Sequence, residues 1–354
     1  MRSGICATTL YFLALIGILS LASFATAADM TPEYKVSRFF ENPIITPGMM
    51  GDANENINGP SLIKVPDWVP NKLGKYYLYF AHHEGQYIRL AYADDLHGPW
   101  KIYAPGVLNV KDVKWEPDHV ASPDVIIDDD KQEIRLYVHA PTAGHVLRHD
   151  DPHYHELVET SIQESFVSIS KDGINFRILP DIIGKSTGTG DRSWYLRLWK
   201  WNGYYYAFAR GGRPLYRSKD GIHFETAAHS PFDKSPEFKK IRHTALKLDG
   251  NVLTVFYSRI GDNPEHIMMS KIMLGPNWEE WTATKPVDVL LPATGYEGVG
   301  LALKPSEPGM TGGRVREIRD PAIYREGSKT YLLYTVEGEY GIAMAELEGV
   351  ATSK

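Results

Sequence analysis

The hydrophobic residues of this chain form short runs separated by turn residues, and one arrangement of these runs occurs five times. Each copy starts with an apolar strand after a turn marked by Pro or His, continues with a strand rich in aromatic residues, and adds a third strand. The copies begin near five positions, which are Gly59, Ser122, Trp194, His243 and Asp320. Because no segment keeps apolar residues at the 3.6-residue period of an amphipathic helix, the pattern predicts short strands and few helices.

The length of each copy favours a propeller over a solenoid. When the first 27 of the 354 residues are set aside as a signal segment, each copy takes up roughly 65 residues, which suits a four-stranded propeller blade with its loops. Two of the third strands end in nearly identical turns, Ser170-Lys171-Asp172-Gly173 and Ser218-Lys219-Asp220-Gly221. We therefore predict an all-β fold, a five-bladed β-propeller of four-stranded antiparallel blades, over residues 58–350 after an N-terminal arm at 28–57.

Residues 1–27 have the features of a secretory signal peptide. Arg2 supplies the positive charge, an uncharged apolar stretch runs from Leu10 to Phe24, and Ala25-Thr26-Ala27 supplies a small-residue cleavage site. The apolar stretch is short for a transmembrane helix, which needs about 20 residues; an uncleaved anchor is the alternative interpretation. We expect a secreted or periplasmic protein with no membrane attachment after cleavage. The single cysteine, Cys6, lies in this segment, so the expected mature chain has no disulfide and no Cys-ligated zinc.

Composition and charge narrow the class of protein further. With 43% hydrophobic and 23% charged residues the chain has the composition of an ordinary globular protein. Its 38 Lys and Arg against 44 Asp and Glu give a net charge of −6 without any basic run, which argues against nucleic acid as the main partner. No dimerisation helix or coiled coil is visible in the sequence, so the oligomeric state is left open.

Short motifs at the predicted blade starts resemble those of the five-bladed propeller glycosidases, the group that includes glycoside hydrolase families 43, 32 and 117. They are Asn42-Pro43-Ile44-Ile45, Gly59-Pro60-Ser61-Leu62-Ile63, Ser122-Pro123-Asp124-Val125-Ile126 and Arg319-Asp320-Pro321-Ala322-Ile323. The resemblance implies a glycoside hydrolase that cleaves a terminal sugar from a polysaccharide-derived oligosaccharide.

This chain departs from the family 43 pattern at two catalytic positions. Gly59 stands where family 43 carries the Asp that serves as general base, and Trp194-Tyr195-Leu196-Arg197 stands where it carries the Glu that serves as general acid. Asp124 alone matches, at the position of the Asp that this family uses to tune and orient the acid. The resemblance therefore implies that the acid and the base of a hydrolase would lie elsewhere in this chain.

Four residues are candidates for the catalytic groups, because the innermost strands of a small propeller converge on one axial funnel. Glycoside hydrolysis needs two carboxyl groups, or one carboxyl group with a substitute such as His. Asp124 and Asp320 form the leading pair on the expectation that they occupy equivalent blade-start positions. Glu297 lies between glycines and could replace the missing acid, and His243 opens the fourth blade as Asp320 opens the fifth. The structural alternatives are a turn-capping Asp, an exposed loop Glu and a buried core His.

Aromatic and basic residues near strand ends are candidates for binding the substrate. Aromatic rings stack on sugar rings, and Arg forms paired hydrogen bonds with carboxylate or sulfate. The predicted substrate-binding residues are Asn58, His139, Arg192, Trp194, Arg197, Arg210 and Arg259. Several arginines around the funnel would suit an anionic sugar, whereas the alternative is that they pair with Asp residues between the blades.

Metal and cofactor signals are weak. The long insertion of the second blade holds His149, His153 and His155 around Asp150 and Asp151, without a helix or a zinc signature, and favours a polar lid over a metal site. We expect no required cofactor, and we consider a structural Ca2+ at the propeller axis.

Two other functions stay open at this level. A non-catalytic carbohydrate-binding propeller would explain why both family 43 catalytic positions are empty, and it would show a rigid aromatic pocket without two nearby carboxyl groups. A glycan lyase or phosphorylase on the same scaffold is the third option, and a Tyr/His pair with arginines would favour the lyase. If the protein is a hydrolase, we favour a single displacement by water.

Overall fold

The computed structural model describes Met1 and residues 34–51, 55–115, 117–141, 163–183 and 193–349. These residues form five antiparallel sheets of four strands each, which are the blades of a β-propeller. Helical structure within these ranges is confined to three-residue 3-10 turns. The predicted fold class is therefore confirmed.

The strands follow one another in chain order within blades 1 to 4, with the first strand of each blade innermost. Blade 1 contains β2 (Asn58–Lys64), β3 (Tyr76–Ala81), β4 (Tyr87–Ala93) and β5 (Lys101–Ile102), and the short β6 (Leu108–Asn109) also pairs with β4. Blade 2 contains β7 (Ala121–Asp128), β8 (Glu133–Pro141), β9 (Gln163–Ser170) and β10 (Arg177–Ile183). Blade 3 contains β11 (Arg197–Trp201), β12 (Tyr204–Phe208), β13 (Leu215–Ser218) and β14 (Phe224–Thr226). Blade 4 contains β15 (Ile241–Asp249), β16 (Val252–Arg259), β17 (Ile267–Met273) and β18 (Val287–Leu290).

Blade 5 joins the two ends of the described chain. It contains β19 (Arg319–Glu326), β20 (Lys329–Thr335) and β21 (Ile342–Gly349), and its outermost strand is β1 (Tyr34–Arg38). β1 pairs with β21 from Tyr34 opposite Gly349 to Arg38 opposite Ala345. The segment that the sequence suggested as an N-terminal arm therefore contributes a strand to the propeller and joins the N-terminal part of the described chain to its last blade.

The two nearly identical turns predicted from the sequence fasten neighbouring blades together. Gly173 and Gly221 have φ values of +76° and +74°, which glycine adopts without strain. Their carbonyl oxygens accept hydrogen bonds from Tyr79 and Tyr137 in the preceding blade, each at 2.8 Å. These turns have an architectural role.

The innermost strands begin with β-bulges, and this feature shapes the propeller axis. In β2, β7, β15 and β19 the pairing with the second strand shifts register within the first few residues. Backbone φ is positive at the bulge positions Gly59, Ser122 and Asp320, and at Tyr195 just before β11. Bulges re-aim side chains at the rim of a sheet, so the residues at the blade starts do not follow simple strand alternation.

Candidate active site

Strand ends and loops at one face of the propeller bring polar residues from all five blades together. The first strand of each blade begins, and its second strand ends, at this face, because the two strands are antiparallel. Residues at blade starts therefore lie beside residues that follow second strands. We call the following group the axial cluster: Asn56, His83, His139, Tyr195, His243, Arg319, Asp320 and Glu339.

Asp320 and His243 form a buried pair at the centre of the axial cluster. Nδ1 of His243 is in hydrogen-bond contact with Oδ1 of Asp320, and both side chains are at most 5% exposed. Among the described residues, neither His243 Nε2 nor Asp320 Oδ2 has a hydrogen-bond partner. The pair therefore presents one nitrogen and one carboxylate oxygen that are available to a ligand or a water molecule.

The charge states of this pair follow from burial and from the neighbouring charges. Burial lowers the pKa of His243, and this effect outweighs the opposing attraction of Asp320. Burial acts to raise the pKa of Asp320, but His243 and Arg319 reverse this and hold it well below its usual range. A neutral His243 whose proton lies on Nδ1, facing the carboxylate, leaves Nε2 as a proton acceptor; this tautomer is assigned from the hydrogen-bond partner.

Glu339 is the second carboxyl group of the axial cluster. It lies in the loop between β20 and β21 and is fully buried. Its Oε2 accepts a hydrogen bond from Asn56 Nδ2 at 2.6 Å and lies 3.2 Å from His83 Nδ1, while Oε1 lies 3.4 Å from Arg319 Nη1. Burial raises the pKa of Glu339 to about 7, with Arg319 opposing and the negative charge of Asp320 adding to the increase. Glu339 can therefore hold a proton near neutral pH.

The environments of Asp320 and Glu339 push the pKa values of two carboxyl groups in opposite directions. Asp320 stays ionised, and Glu339 is poised to be protonated. Two carboxyl groups of one site whose pKa values shift in opposite directions are typical of a general acid and a general base. The cluster can therefore accept a proton at the Asp320–His243 pair and donate one at Glu339.

Tyr195 forms an aromatic wall beside this pair. Its ring centroid lies 3.9 Å from that of His243 and 4.4 Å from that of His139, and it stacks on Trp194 at 5.2 Å. Tyr195 has a φ of +57°, which is strained for a bulky residue and is found mainly at functional sites. Burial, with a smaller contribution from nearby His119, holds the pKa of His139 well below its usual range, so this ring is neutral.

Arg319, in the axial cluster, and Arg242, next to His243, are held by carboxylates of the protein. Arg319 contacts Glu317 and Glu339, and Arg242 binds Glu265 through two hydrogen bonds of 2.8 and 3.0 Å. These buried charges compensate one another, as buried ion pairs must. The two arginines hold the carboxylates of the cluster in place and are not available to an anionic substrate.

The strand registers correct the expected equivalence of Asp124 and Asp320. Asp124 pairs with Tyr137 after the bulge of β7, whereas Asp320 lies inside the bulge of β19. The bulge residue of blade 2 that corresponds to Asp320 is Ser122, and Asp124 corresponds to Ala322. His243 is not equivalent to Asp320 either. It lies one position further along its strand and corresponds to Pro321. His243 meets Asp320 through the packing of blade 4 against blade 5.

Asp124 bridges blades 2 and 3. Its Oδ2 accepts a hydrogen bond from the backbone N–H of Leu198 at 2.8 Å, and its Oδ1 lies 3.9 Å from Arg197 Nη1. Both side chains line a cavity of about 120 Å³ together with Ser61 and Ala322. Burial raises the pKa of Asp124, with Arg197 opposing. The largest influences on the pKa of Glu339 come from burial, Arg319 and Asp320, so a tuning role for Asp124 stays a prediction.

Glu297 lies between blades 4 and 5 and the first strand, apart from the axial cluster. Arg38 donates two hydrogen bonds to its carboxylate, at 2.7 and 3.1 Å, and Tyr334 donates a third at 2.8 Å. The backbone N–H groups of Ala293 and Thr294 donate two more. None of these partners belongs to the axial cluster, so the structure does not bring Glu297 to the expected funnel.

We expect Glu297→Ala to destabilise the protein without slowing the chemistry of the folded fraction. The substitution leaves Arg38 and two backbone N–H groups without their partner, and breaking such a pair costs about 3–5 kcal/mol when it is buried. Denaturant unfolding measures the loss, and initial rates below the melting temperature measure the chemistry. Glu280→Ala, at an exposed Glu, is the control. An unchanged unfolding midpoint together with a large rate loss would return Glu297 to the list of catalytic candidates.

Most of the other predicted substrate-binding residues contact groups of the protein itself. Asn58 donates to Asn56 within the cluster, and Arg197 donates to the carbonyl oxygen of Pro123. Arg259 contacts Asp262 and the carbonyl oxygen of Glu237, which is the pairing that the alternative interpretation expected. Trp194 is almost completely buried, with the Arg210 guanidinium 4.7 Å from its ring centroid. The described residues do not include Arg192, His149, His153 or His155.

The axial residues do not match the preferences of a calcium ion. Among the described residues there is no group of three or more His, Cys, Asp or Glu side chains placed to hold a metal ion. Calcium takes six to eight oxygen ligands, whereas the cluster is rich in histidine nitrogens and the cavity beside Asp124 also holds the Arg197 guanidinium. The axial Ca2+ stays a prediction.

Glu339, His83 and Tyr195 were not singled out as site residues from the sequence. A usable signal existed for two of them, because polar residues recur where second strands end at the funnel face. His82 and His83 follow β3, and Glu339 lies four residues after β20. Tyr195 could be recognised only from its backbone conformation.

Comparison with solved structures identifies proteins that share this fold. The chain is similar to a glycoside hydrolase family 43 enzyme from Xanthomonas citri, complexed with xylose, with a TM-score of 0.55 and 12% identity over 88% of this chain and 93% of that chain. It is also similar to a family 43 beta-xylosidase/alpha-arabinofuranosidase from a compost microbial metagenome, with a TM-score of 0.55 and 13% identity over 90% and 96% of the two chains. The chain thus has the five-bladed propeller fold of glycoside hydrolase family 43, as the sequence resemblance implied.

A comparison of sequences identifies a much nearer relative. The chain is 32% identical to an uncharacterized protein of Acanthamoeba polyphaga mimivirus, over 95% of this chain and 97% of that protein, and it belongs to the same family. No protein-family model matches the chain. In the part of the chain that the structure describes, no helix is both long and apolar enough to span a membrane.

Proposed function

We propose that this protein is an exported glycoside hydrolase that removes a terminal sugar from polysaccharide-derived oligosaccharides. The observation that carries the proposal is the pair of carboxyl groups in the axial cluster, Asp320 and Glu339, whose pKa values are shifted in opposite directions. The family 43 fold supports the proposal by analogy, because a fold alone does not determine function. A funnel at a propeller axis admits a chain end more readily than the middle of a polymer.

In the proposed reaction, a water molecule lies against His243 Nε2 and Asp320 Oδ2 and attacks the anomeric carbon. The Asp320–His243 pair accepts the proton that the water loses, and the negative charge of Asp320 stabilises the imidazolium that forms on His243. Glu339 donates its proton to the glycosidic oxygen as the bond to the anomeric carbon breaks. Arg319 and His83 then stabilise the Glu339 carboxylate. This single displacement inverts the anomeric configuration.

The test is product release from a panel of neutral and acidic oligosaccharides, with NMR detection of the anomer formed first. We expect monosaccharide release with inversion, and a rate that falls as the pH rises through about 7, because Glu339 must carry a proton. A chelator should leave the rate unchanged. Initial formation of the retained anomer would contradict the single displacement, and binding without cleavage of any oligosaccharide would favour the carbohydrate-binding alternative.

Asp124→Asn tests the residue that matches family 43. Asn keeps an oxygen that can accept the hydrogen bond from Leu198, so the fold should persist. If Asp124 orients or tunes the acid, the rate falls by about 100-fold, the lower end of the usual range for lost acid–base assistance. A rate within a few-fold of wild type, at an unchanged melting temperature, removes Asp124 from the site.

One observation favours a second candidate, a glycan lyase. Tyr195 contacts both His139 and His243, which provides the Tyr/His arrangement expected for that chemistry. The nearby Arg242 and Arg319 are paired with carboxylates, however, and do not face a uronate. A lyase would release an unsaturated sugar, which absorbs in the ultraviolet, whereas hydrolysis incorporates water and gives no such absorbance.

Export is part of the proposal and rests on the sequence of residues 1–27. The secreted or periplasmic protein should begin at Ala28, and no attachment to the membrane should follow cleavage. N-terminal sequencing of the exported protein checks this. An N-terminus that still contains Arg2 would indicate an anchor.

A further inference from the structure

Asn56 is a member of the axial cluster that has no role in the proposed reaction. It lies just before β2 and is buried. Its Nδ2 donates a hydrogen bond of 2.6 Å to Glu339 Oε2, which is the shortest hydrogen bond to the Glu339 carboxyl group among the described residues. Arg319 reaches the other oxygen, Oε1, at 3.4 Å. Asn56 is therefore the closest hydrogen-bond partner of the group that the proposed reaction uses as its acid.

The orientation of the Asn56 amide group follows from its other partners. Its Oδ1 accepts hydrogen bonds from the backbone N–H of His83 and from Asn58 Nδ2, both at 3.0 Å. A backbone N–H only donates, so the atom that faces it is the amide oxygen, and the atom that faces Glu339 is the amino group. An amide oxygen at that place would accept the acid proton of Glu339 and keep it from a substrate. The amino group leaves this proton available.

The backbone on both sides of this contact holds Asn56 against the loop of Glu339. The carbonyl oxygen of Asn56 accepts a hydrogen bond from the buried Arg89 at 2.8 Å, and the N–H of Ile57 donates to the carbonyl oxygen of Glu339 at 2.7 Å. Ile57 also forms a parallel β-bridge with Tyr340. The entry to blade 1 and the loop between β20 and β21 are therefore joined on either side of the two side chains. A catalytic acid is effective only when such contacts hold it in the productive geometry.

Asn56 adds a neutral donor to a carboxyl group that already has charged neighbours. Burial raises the pKa of Glu339 most and the negative charge of Asp320 adds to the increase, whereas positive charge and the hydrogen bond from Asn56 act in the opposite direction. The positive charges are those of Arg319 and Arg242. His83 Nδ1 lies 3.2 Å from Glu339 Oε2, but burial holds the pKa of His83 well below its usual range, so this ring is neutral. The amide group thus stabilises the Glu339 carboxylate without adding a charge to the site.

We propose that Asn56 is the positioning residue of the acid: its amide group, oriented by Asn58 and by the backbone of His83, holds the Glu339 carboxyl group in one orientation and leaves the acid proton available to the substrate. This inference rests on the proposed function, because it assigns a residue to the same reaction. Once Glu339 has given up its proton, the hydrogen bond from Asn56 becomes charge-assisted and stabilises the carboxylate. Asn58 acts on Glu339 only through Asn56.

Asn56→Asp changes only the group that faces Glu339. One carboxylate oxygen of Asp can still accept the hydrogen bonds from His83 and Asn58, but the other replaces the amino group beside Glu339 Oε2. Two carboxyl groups this close cannot both be ionised, so the pair should hold one shared proton at least about tenfold more tightly than Glu339 holds its proton in the wild type. The matched control is Asn202→Asp, in the exposed turn between β11 and β12, where φ is +48° and Asp is tolerated.

NMR of the full chain measures this ionisation without any substrate. Glutamate is labelled with carbon-13 at the side-chain carboxyl group, and the Glu339 signal is identified by its absence from Glu339→Gln. We expect a titration midpoint near pH 7 in the wild type and in Asn202→Asp, and a higher midpoint in Asn56→Asp. The Nδ2 protons of Asn56 in the wild type should shift with the same midpoint, which requires no variant to fold. An unchanged Glu339 midpoint in folded Asn56→Asp, or Asn56 amide protons that do not respond to Glu339, would overturn the inference.

The rate of cleavage gives a second readout that a merely structural residue would not produce. At about pH 6, Asn56→Asp should cleave an oligosaccharide at least about tenfold more slowly than the wild type, because a more tightly held proton is transferred less readily. It should cleave a dinitrophenyl glycoside, whose leaving group needs no proton, at nearly the wild-type rate. Equal losses on the two substrates would indicate a general structural defect and would overturn the assignment of Asn56.

The two measurements separate this inference from the proposed function. If the Glu339 midpoint rises in Asn56→Asp while the wild type cleaves no oligosaccharide, the control of Glu339 by Asn56 stands and the hydrolase proposal fails. If the wild type cleaves oligosaccharides while Asn56→Asp changes neither the midpoint nor the rate, the hydrolase proposal stands and the inference about Asn56 fails.

Discussion

Replacing Glu339 with Gln should lower the rate of glycoside cleavage by about 10²–10⁴-fold, the usual contribution of a positioned general acid. Gln keeps the shape of the side chain and an oxygen that can accept the hydrogen bond from Asn56, but it has no proton to donate. The remaining activity should no longer fall as the pH rises through about 7, because that decrease reports the ionisation of Glu339. Initial rates from pH 4 to 9 on an oligosaccharide provide the measurement.

The leaving group provides a check that a folding defect cannot imitate. A dinitrophenolate leaving group departs without being protonated. Glu339→Gln should therefore cleave a dinitrophenyl glycoside at nearly the wild-type rate. Glu337→Gln is the matched control, because Glu337 lies in the same loop and pairs with Arg314 away from the cluster. Equal rate losses on both kinds of substrate, or a similar loss in Glu337→Gln, would refute the assignment of Glu339 as the acid.

Stability should report the same ionisation independently of catalysis. The pKa of Glu339 is raised in the folded state, so the stability that its protonated form contributes is present below the unfolded pKa of about 4.5 and is lost as the pH rises through about 7. Glu339→Gln lacks this dependence. As the pH rises from 5 to 8, the free energy of unfolding of Glu339→Gln should therefore increase relative to that of the wild type.

Replacing Asp320 with Gly should also lower the rate by about 10²–10⁴-fold, by removing the charge that stabilises a proton on His243. Glycine suits the backbone here, because Asp320 has a φ of +48° and blade 1 carries Gly59 at the corresponding bulge. The space left by the carboxylate can admit a small anion. Formate or azide should therefore restore part of the activity, measured as the initial rate at increasing anion concentration.

The control for this variant must separate catalysis from stability. Loss of a carboxylate buried near Arg319 and Arg242 costs about 3–5 kcal/mol, so circular dichroism must show that the variant is folded at the assay temperature. Ser122→Gly places the same substitution at the corresponding bulge of blade 2, where φ is +51°, and should keep the wild-type rate. A folded Asp320→Gly that retains its activity would remove the Asp320–His243 pair from the mechanism.

The sequence predicted the blades well because their pattern is local. The aromatic-rich second strand that the pattern predicts in each copy is present in all five blades, as β3, β8, β12, β16 and β20. Strand patterning depends on alternation and turn residues within about ten positions, which a sequence displays directly. The structure brings Asp320 and His243 into contact between blades 4 and 5, and their role in a catalytic site stays a prediction.

The site could be predicted only in part, and Asp124 shows one reason. In the motifs Ser122-Pro123-Asp124 and Asp320-Pro321-Ala322 the two prolines are equivalent, so Asp124 follows its proline whereas Asp320 precedes its own, and the two Asp residues lie two register positions apart. A bulge changes the direction of side chains at the start of a strand and leaves no clear sequence signal. The motifs therefore did not show which of these two positions meets His243.

Glu297 and Glu339 show the other reason. Both are Glu residues beside a Gly in a loop, so local sequence does not distinguish them. Tertiary packing directs Glu297 toward Arg38 of the closing strand and Glu339 toward Arg319 and Asn56 at the axis. The sequence by itself determined the all-β class, the five repeats and the blade starts, since these follow from local periodicity. The tertiary structure decided which carboxyl groups meet and which pKa values shift, because burial and the distances between charges depend on residues far apart in the chain.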